Sequence, residues 1–138
     1  MNAVLKPVPP VTPDLNTPAA AAAALRTFFN IATRWQLTAA EQLALLGGAR
    51  STFYEWKAGR VKAALDSATL ERLSYVFGIY AALQILLPGP ERADQWLRKP
   101  NSAPLFGGKS AIERMAAGNV ADLYVVRQYL DAQRGGWS

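Results

Sequence analysis

The sequence predicts an all-α fold, in which an N-terminal helix and a helix-turn-helix are followed by a small helical domain. Three observations predict it. Apolar residues recur at spacings of three and four in several segments, as on the buried face of a helix. These segments begin at residues that cap helices and end at glycine or proline. No segment shows the two-residue alternation typical of strands, and no internal repeat has a fixed period.

The N-terminal segment predicts an arm and then a long helix. Residues 1–17 carry prolines at four positions, and we expect them to be extended and poorly packed, because proline withholds a backbone donor and disfavours helix in the residue before it. Thr17 caps a helix that has Pro18 at its first position. Six alanines follow and favour helix, which the apolar spacing extends over about 18–35.

Two short helices come next. Thr38 and Glu41 form a capping box, in which each satisfies a free amide of the other, and this starts a second helix. Gly47 and Gly48 end that helix. A third helix is predicted over about 50–57 and ends at Gly59.

Four further helices are predicted after residue 65 from the same kinds of signal. Pro90 begins one of them, and Ser110 forms a second capping box with Glu113. Residues 99–109 are predicted to form a loop. The expected bounds are about 68–87, 90 to before Pro100, 110 to Gly118, and 120–133.

The composition excludes several chemistries. The chain has 138 residues, of which 51% are hydrophobic and 18% charged, enough apolar surface for a packed core. It contains no Cys and no His, which excludes disulfides, thiolate nucleophiles, imidazole bases and the usual structural zinc sites. Glu91 and Asp94 are candidate paired carboxylates, but helix-dipole stabilisation in a first turn explains both. We therefore predict that the protein is not an enzyme and uses no cofactor or metal.

The charge distribution indicates a polyanionic partner. The net charge is +5, from 15 basic and 10 acidic side chains. Residues 26–62 hold six basic and two acidic side chains, so four of the five excess charges lie in one short block. Such a block is typical of nucleic-acid binding, although a solvated basic face has the same composition.

No membrane or export segment is predicted. The longest apolar run, residues 76–87, is too short to span a bilayer. The N-terminal residues lack the continuous apolar stretch of a signal peptide. We expect a cytoplasmic protein that makes no membrane contact.

Residues 38–60 have the layout of a helix-turn-helix. Four apolar side chains, Leu43, Leu46, Phe53 and Trp56, are spaced to share a small core across the Gly47-Gly48 turn. The second helix of such a unit places its N-terminal end in the major groove. Helix-turn-helix units also occur in proteins that never touch DNA, but the local charge and the polar outer face favour DNA binding. The candidate DNA-binding residues are Arg50, Ser51, Thr52, Tyr54, Lys57 and Arg60.

The same segment resembles the helix-turn-helix of Xre-type regulators. The resemblance rests on Glu41-Gln42, Gly47, Ser51-Thr52 and Trp56-Lys57. Ala49 departs from the pattern, which favours a Ser or Thr cap there, and this loss of a cap costs about 1 kcal/mol of local helix stability.

Residues 90–138 resemble the toxin-binding domain of Xre/ParS/MbcA-like antitoxins, which follows an Xre-like helix-turn-helix in that family. Ala111 departs from a usual proline. The residues that carry the resemblance are Trp96-Leu97, Pro100-Asn101, Leu105, Gly107-Gly108, residues 110–115, Gly118, Leu130 and Gly135.

The resemblance implies an antitoxin of a type II toxin–antitoxin pair. Its partner would be a RES-domain toxin, which depletes NAD, and the pair would repress its own operon. The C-terminal region of such antitoxins occludes the entrance to the toxin's active site. The residues expected near the toxin are Tyr124, Arg127, Gln128, Asp131, Arg134, Gly135, Gly136 and Trp137. We expect a homodimer, since paired half-sites match two-fold symmetry.

The expected organisation is an arm at 1–17, a DNA-binding domain at 18–65, and a dimerisation and toxin-binding domain at 66–138. Trp137 with Arg134 is a candidate plug, because aromatic and Arg side chains commonly anchor interfaces. Packing of Trp137 on its own helices, or disorder, is the alternative. Trp96 is expected in the core.

The sequence leaves several alternatives open. The side chains of Phe77, Tyr80 and Leu83 belong either to the core or to a dimer seam. A stand-alone regulator, whose C-terminal half only dimerises or senses a ligand, is a second hypothesis. An interaction module whose helix-turn-helix no longer binds DNA is a third.

Overall fold

The structure is a computed structural model that describes residues 16–135, and in this part of the chain it contains seven helices and no strand. The all-α prediction is confirmed. The helices are α1 (Pro18–Arg34), α2 (Ala39–Leu46), α3 (Arg50–Lys57), α4 (Ser67–Leu86), α5 (Pro90–Trp96), α6 (Ala111–Met115) and α7 (Val120–Gln133). The predicted arm lies outside the described residues, apart from Asn16 and Thr17.

The predicted helix starts are formed by the expected caps. The Thr17 side chain accepts a hydrogen bond from the amide of Ala20, 3.0 Å away. Both predicted capping boxes, at Thr38 and Ser110, are present. The cap of α4 is Asp66, whose carboxylate accepts from the Thr69 amide at 2.8 Å. The local signals in the sequence therefore set the helix starts to within about one residue, whereas α5 and α6 end at Trp96 and Met115, a few residues earlier than predicted.

Helix α4 is the centre of the fold, because α1, α2, α5 and α7 all pack against it. Its most extensive partner is α7. The two helices run parallel, because the contacts between them advance together along both. Arg72 donates to Gly118 just before α7, Tyr75 contacts Tyr124 further along, and Gly78 lies against Arg127 further still. Leu73, Val76, Ile79, Ala82 and Leu83 are the buried residues of α4.

Of the three side chains that the sequence left between core and dimer seam, Leu83 lies in the core. Leu83 is fully buried, and Phe77 and Tyr80 are half-buried and pack against the core. Trp96 is also half-buried against the core, where its ring lies 5.8 Å from that of Phe106 and 6.4 Å from that of Tyr129. The residues of the 99–109 loop form turns, and an isolated bridge joins Pro100 to Ser110.

None of the helices within residues 16–135 is both long enough and apolar enough to cross a membrane.

Candidate DNA-binding face and partner-binding stripe

Helix α3 is fixed to the body of the protein by one apolar side. Phe53 is fully buried, and its ring lies 6.0 Å from that of Phe29 on α1. Leu46 is buried with it, whereas Leu43 and Trp56 are half-buried against the same core. Packing on this side leaves the opposite side of α3 to solvent.

Exposed positions of α3, some beside the buried Phe53 and some opposite it, carry five of the six predicted DNA-binding residues. We call this surface the α3 face, and it consists of Arg50, Ser51, Thr52, Tyr54 and Lys57, all of which are exposed. Tyr54 is 47% exposed, an unusual position for a large ring. Ala49 provides no side-chain cap, as its type predicts, so the first-turn amides of α3 have no such acceptor. Hydroxyl, guanidinium, ammonium and free amide groups are the donors that contact phosphates and base edges.

Arg60 is exposed too, but it is already paired. Its guanidinium donates to the two carboxylate oxygens of Glu55 at 2.7 and 3.2 Å. The hydrogen bonds from Arg60 hold the pKa of Glu55 below its ordinary value. A phosphate that binds Arg60 therefore has to compete with Glu55 for the guanidinium. Arg50 and Lys57 have no such competitor, since no ion pair joins either of them to another described residue.

Helix α2, which supports α3 through the turn, is held at both ends by arginines from later in the chain. At its start, Arg98 forms a bidentate pair with Glu41, with both distances 2.9 Å, and donates to the carbonyl of Gln36 at 2.7 Å. At its end, Arg72 donates to the carbonyl of Ala44 at 3.0 Å. Sequence reasoning missed both arginines, because partners 57 and 28 residues away leave no local pattern.

Helix α7 is placed by apolar packing and by one ion pair at its start. Leu123, Val126 and Leu130 are fully buried. The buried carboxylate of Asp122 accepts a hydrogen bond from Arg114 of α6 at 2.9 Å. These contacts fix the rotation of α7 about its axis and thereby decide which residues face outward.

The outward side of α7 brings together five of the predicted toxin-facing residues, which we call the α7 stripe: Tyr124, Arg127, Gln128, Asp131 and Arg134. Residues at these spacings share one side of a helix. The stripe is internally bonded, because Gln128 donates to the Tyr124 hydroxyl at 2.6 Å and Arg127 donates to Asp131 at 3.0 Å. Gly135 is exposed beyond the helix, whereas Gly136 and Trp137 lie outside the described residues.

Tyr75 of α4 extends this surface, and a second apolar side chain, Ile85, is exposed later on the same helix. The sequence predicted neither. The Tyr75 ring meets that of Tyr124 edge-on, with the centroids 5.6 Å apart. Partial burial, together with the charge of Glu71, raises the pKa of the Tyr75 hydroxyl. Ile85 is 55% exposed, two helical turns after Gly78 on the same side of α4. Both residues look like core positions in sequence, and only the parallel packing of α4 on α7 reveals them.

A helix-turn-helix with an exposed polar face, joined through a shared central helix to a second helical unit, defines an all-α helix-turn-helix protein with an appended C-terminal unit. Residues 14–78 match the Antitoxin Xre-like helix-turn-helix domain, and residues 82–136 match the Antitoxin Xre/MbcA/ParS C-terminal toxin-binding domain. The chain belongs to this antitoxin family, as the sequence resemblance indicated. The two matches meet inside α4.

A curated relative covers most of the chain. The protein is 51% identical over 115 residues to a protein of Sinorhizobium fredii with the name "Uncharacterized protein y4oB". The aligned region is 83% of this chain and 86% of that relative.

Proposed function

We propose that this antitoxin neutralises a RES-domain toxin, an enzyme class that depletes NAD, by covering the entrance to the toxin's active site. The observation that carries the proposal is the α7 stripe, which lies within the region that matches the toxin-binding domain. The stripe combines an exposed aromatic ring with two arginines, and these side chains dominate the energetics of protein interfaces. Gly135, Gly136 and Trp137 continue the interface beyond α7.

The second part of the proposal is that the antitoxin binds operator DNA through the α3 face and represses its own operon. Support comes from the exposed donors of the α3 face and from the match of residues 14–78 to an Xre-like helix-turn-helix. The protein acts as a homodimer, because two half-sites related by two-fold symmetry give the affinity that one short helix does not. Residues 18–65 serve DNA binding, and 66–138 serve dimerisation and toxin binding. Both activities are non-enzymatic binding in the cytoplasm and use no cofactor.

The first experiment is the isolation of the natural partner. A tag on the N-terminus leaves Trp137 free, and a pull-down from the native host followed by mass spectrometry identifies co-purifying proteins. We expect one RES-domain protein. That protein, purified without the antitoxin, should degrade NAD, and the addition of the antitoxin should stop the reaction.

A matched variant locates the interface. A variant that lacks residues 134–138 should no longer bind the partner or inhibit its NAD degradation, but it should still bind DNA. If only DNA co-purifies with the full chain, the protein is instead a stand-alone regulator with a C-terminal dimerisation domain. If the partner is an enzyme that leaves NAD intact, the RES assignment is wrong and the antitoxin class stands.

A further inference from the structure

A groove with a basic rim lies beside α3, between it and α1. Leu25, Phe29, Trp56 and Val61 form its apolar floor, and the polar side chains at its rim are Arg26, Asn30 and Lys57. Arg26 and Asn30 are four residues apart on α1, so they stand on the same side of that helix. The fold thus brings Arg26 next to Lys57 of the α3 face, from 31 positions earlier in the sequence.

The charge of this groove is uncompensated. No Asp or Glu lines it, and Arg26 forms no ion pair with any residue in the described range. Five other arginines do have carboxylate partners within 4.0 Å: Arg34, Arg60, Arg98, Arg114 and Arg127. Arg26 is exposed on the solvent side of α1, and no carboxylate of the described residues occupies its guanidinium group.

The position of the groove relative to α3 identifies what would fill it. A helix that enters the major groove has a sugar–phosphate strand on each side. On one side of α3 lie Arg60 and Lys62, which line a second groove with Ser51, Thr52 and the carboxylate of Glu55. On the other side lie Arg26, Asn30 and Lys57. A phosphodiester carries the complementary charge, and a sugar can pack on the apolar floor.

We propose that Arg26, with Asn30 and Lys57, forms a binding site for a backbone phosphate of the DNA strand that flanks α3. This inference rests on the proposed DNA binding of the α3 face. It extends the DNA-binding surface to α1, which the helix-turn-helix motif itself does not include. Since every DNA sequence presents phosphates, the site adds affinity but no base specificity.

The test is the salt dependence of DNA binding by the full-length protein. Binding is measured against a duplex from the promoter region of its own gene and against a duplex of scrambled sequence, over a series of salt concentrations. Arg26→Gln should make the slope of the logarithm of the DNA association constant against the logarithm of the salt concentration less steep. The expected change is about 0.9 for each phosphate contact that is lost per bound complex. The loss of affinity should be the same factor on both duplexes.

Two further variants serve as controls. Arg26→Lys keeps the charge and should keep the slope. Arg92→Gln removes another exposed arginine, on α5, which lines neither groove, and should leave the slope unchanged. Gln is nearly as good a helix former as Arg, so circular dichroism should show the same helix content in all variants.

The outcomes separate this site from the function on which it rests. Wild-type binding with an unchanged slope in Arg26→Gln overturns the phosphate site and leaves the proposed DNA binding intact. An effect on the promoter duplex alone also overturns it, because it indicates base readout. A wild-type chain that binds neither duplex overturns the proposed DNA binding and the Arg26 site together.

Discussion

The guanidinium group of Arg72 occupies the space that a side chain at Gly47 would need. A Cβ atom built on Gly47 would lie 2.9 Å from Nε of Arg72, closer than real Cβ contacts come. From this position Arg72 donates to the carbonyls of Ala44 and Gly118, each at 3.0 Å. Gly118 lies in the turn before α7. One side chain of α4 therefore joins the turn of the helix-turn-helix to the unit that carries the α7 stripe.

The first prediction concerns the turn itself. Gly47→Ala should destabilise the protein by about 2–3 kcal/mol, because the backbone at Gly47 has φ +69° and because Arg72 must move. Gly48→Ala is the matched control. Its φ is +80°, but nothing lies within 4 Å of the added Cβ, so only the backbone cost of about 1–2 kcal/mol remains. Urea unfolding of both variants measures the difference.

A double-mutant cycle assigns that difference to Arg72. In an Arg72→Ala background, Gly47→Ala and Gly48→Ala should cost the same free energy of unfolding, because the side chain that clashes is gone. If Gly47→Ala still costs more in that background, the extra cost comes from the turn and not from Arg72.

The second prediction is a pH dependence at the start of α2. Burial raises the pKa of Glu41, but the hydrogen bonds from Arg98 and Thr38 outweigh it, and the net pKa lies below the ordinary value of 4.5. A carboxylate whose pKa is lower in the folded state stabilises the fold above its unfolded pKa. That stability is lost as the pH falls through the folded pKa. Glu41→Gln should therefore lower the free energy of unfolding at pH 7 and make that free energy fall less steeply as the pH is lowered.

A second capping box provides the control for this measurement. Glu113 occupies the same N3 position in α6, and no arginine in the described range donates to its carboxylate. Urea unfolding at a series of pH values between 7 and 3 gives the free energy of unfolding as a function of pH. Glu41→Gln should change the slope of this curve more than Glu113→Gln does. Equal changes would mean that the capping geometry, and not Arg98, sets the pH dependence.

The third prediction separates stability from partner binding at the α7 stripe. A Cβ on Gly78 would overlap the guanidinium of Arg127, so Gly78→Ala must displace that group. The displaced group is the end of a flexible side chain, and Ala is the better helix former by about 0.5–1 kcal/mol. We expect unchanged or slightly higher stability in thermal unfolding, together with weaker binding of the co-purified toxin in calorimetry.

Arg127→Ala tests whether the loss arises through this side chain. It should weaken toxin binding to a similar extent, and Gly78→Ala should then add little to it. Full toxin affinity in Gly78→Ala would show that the position of Arg127 over Gly78 has no part in recognition.

The sequence predicts the elements of this fold more completely than it predicts the surfaces. Capping residues such as Thr38 and Ser110 act over three positions, so local reading places the helix starts. The α3 face and the α7 stripe could also be predicted, because one side of a short amphipathic helix is encoded in its own spacing. The contact of Tyr75 with Tyr124 could not be predicted, and neither could the groove that Arg26 shares with Lys57, since both depend on how whole helices pack.

The last prediction tests whether DNA binding and toxin binding are separate. Arg50 and Thr52 are exposed at the start of α3, and neither belongs to the buried core of the helix-turn-helix. The double variant Arg50→Ala with Thr52→Ala should abolish the preference for the promoter duplex over the scrambled duplex, because it removes groups suited to base edges. Its inhibition of NAD degradation by the toxin should stay at the wild-type level. Deletion of residues 134–138 should have the reverse effect. If the double variant loses both activities although its unfolding curve matches that of the wild type, the two surfaces are not independent. Arg72, which donates to both Ala44 and Gly118, is then the first residue to substitute in a search for the link.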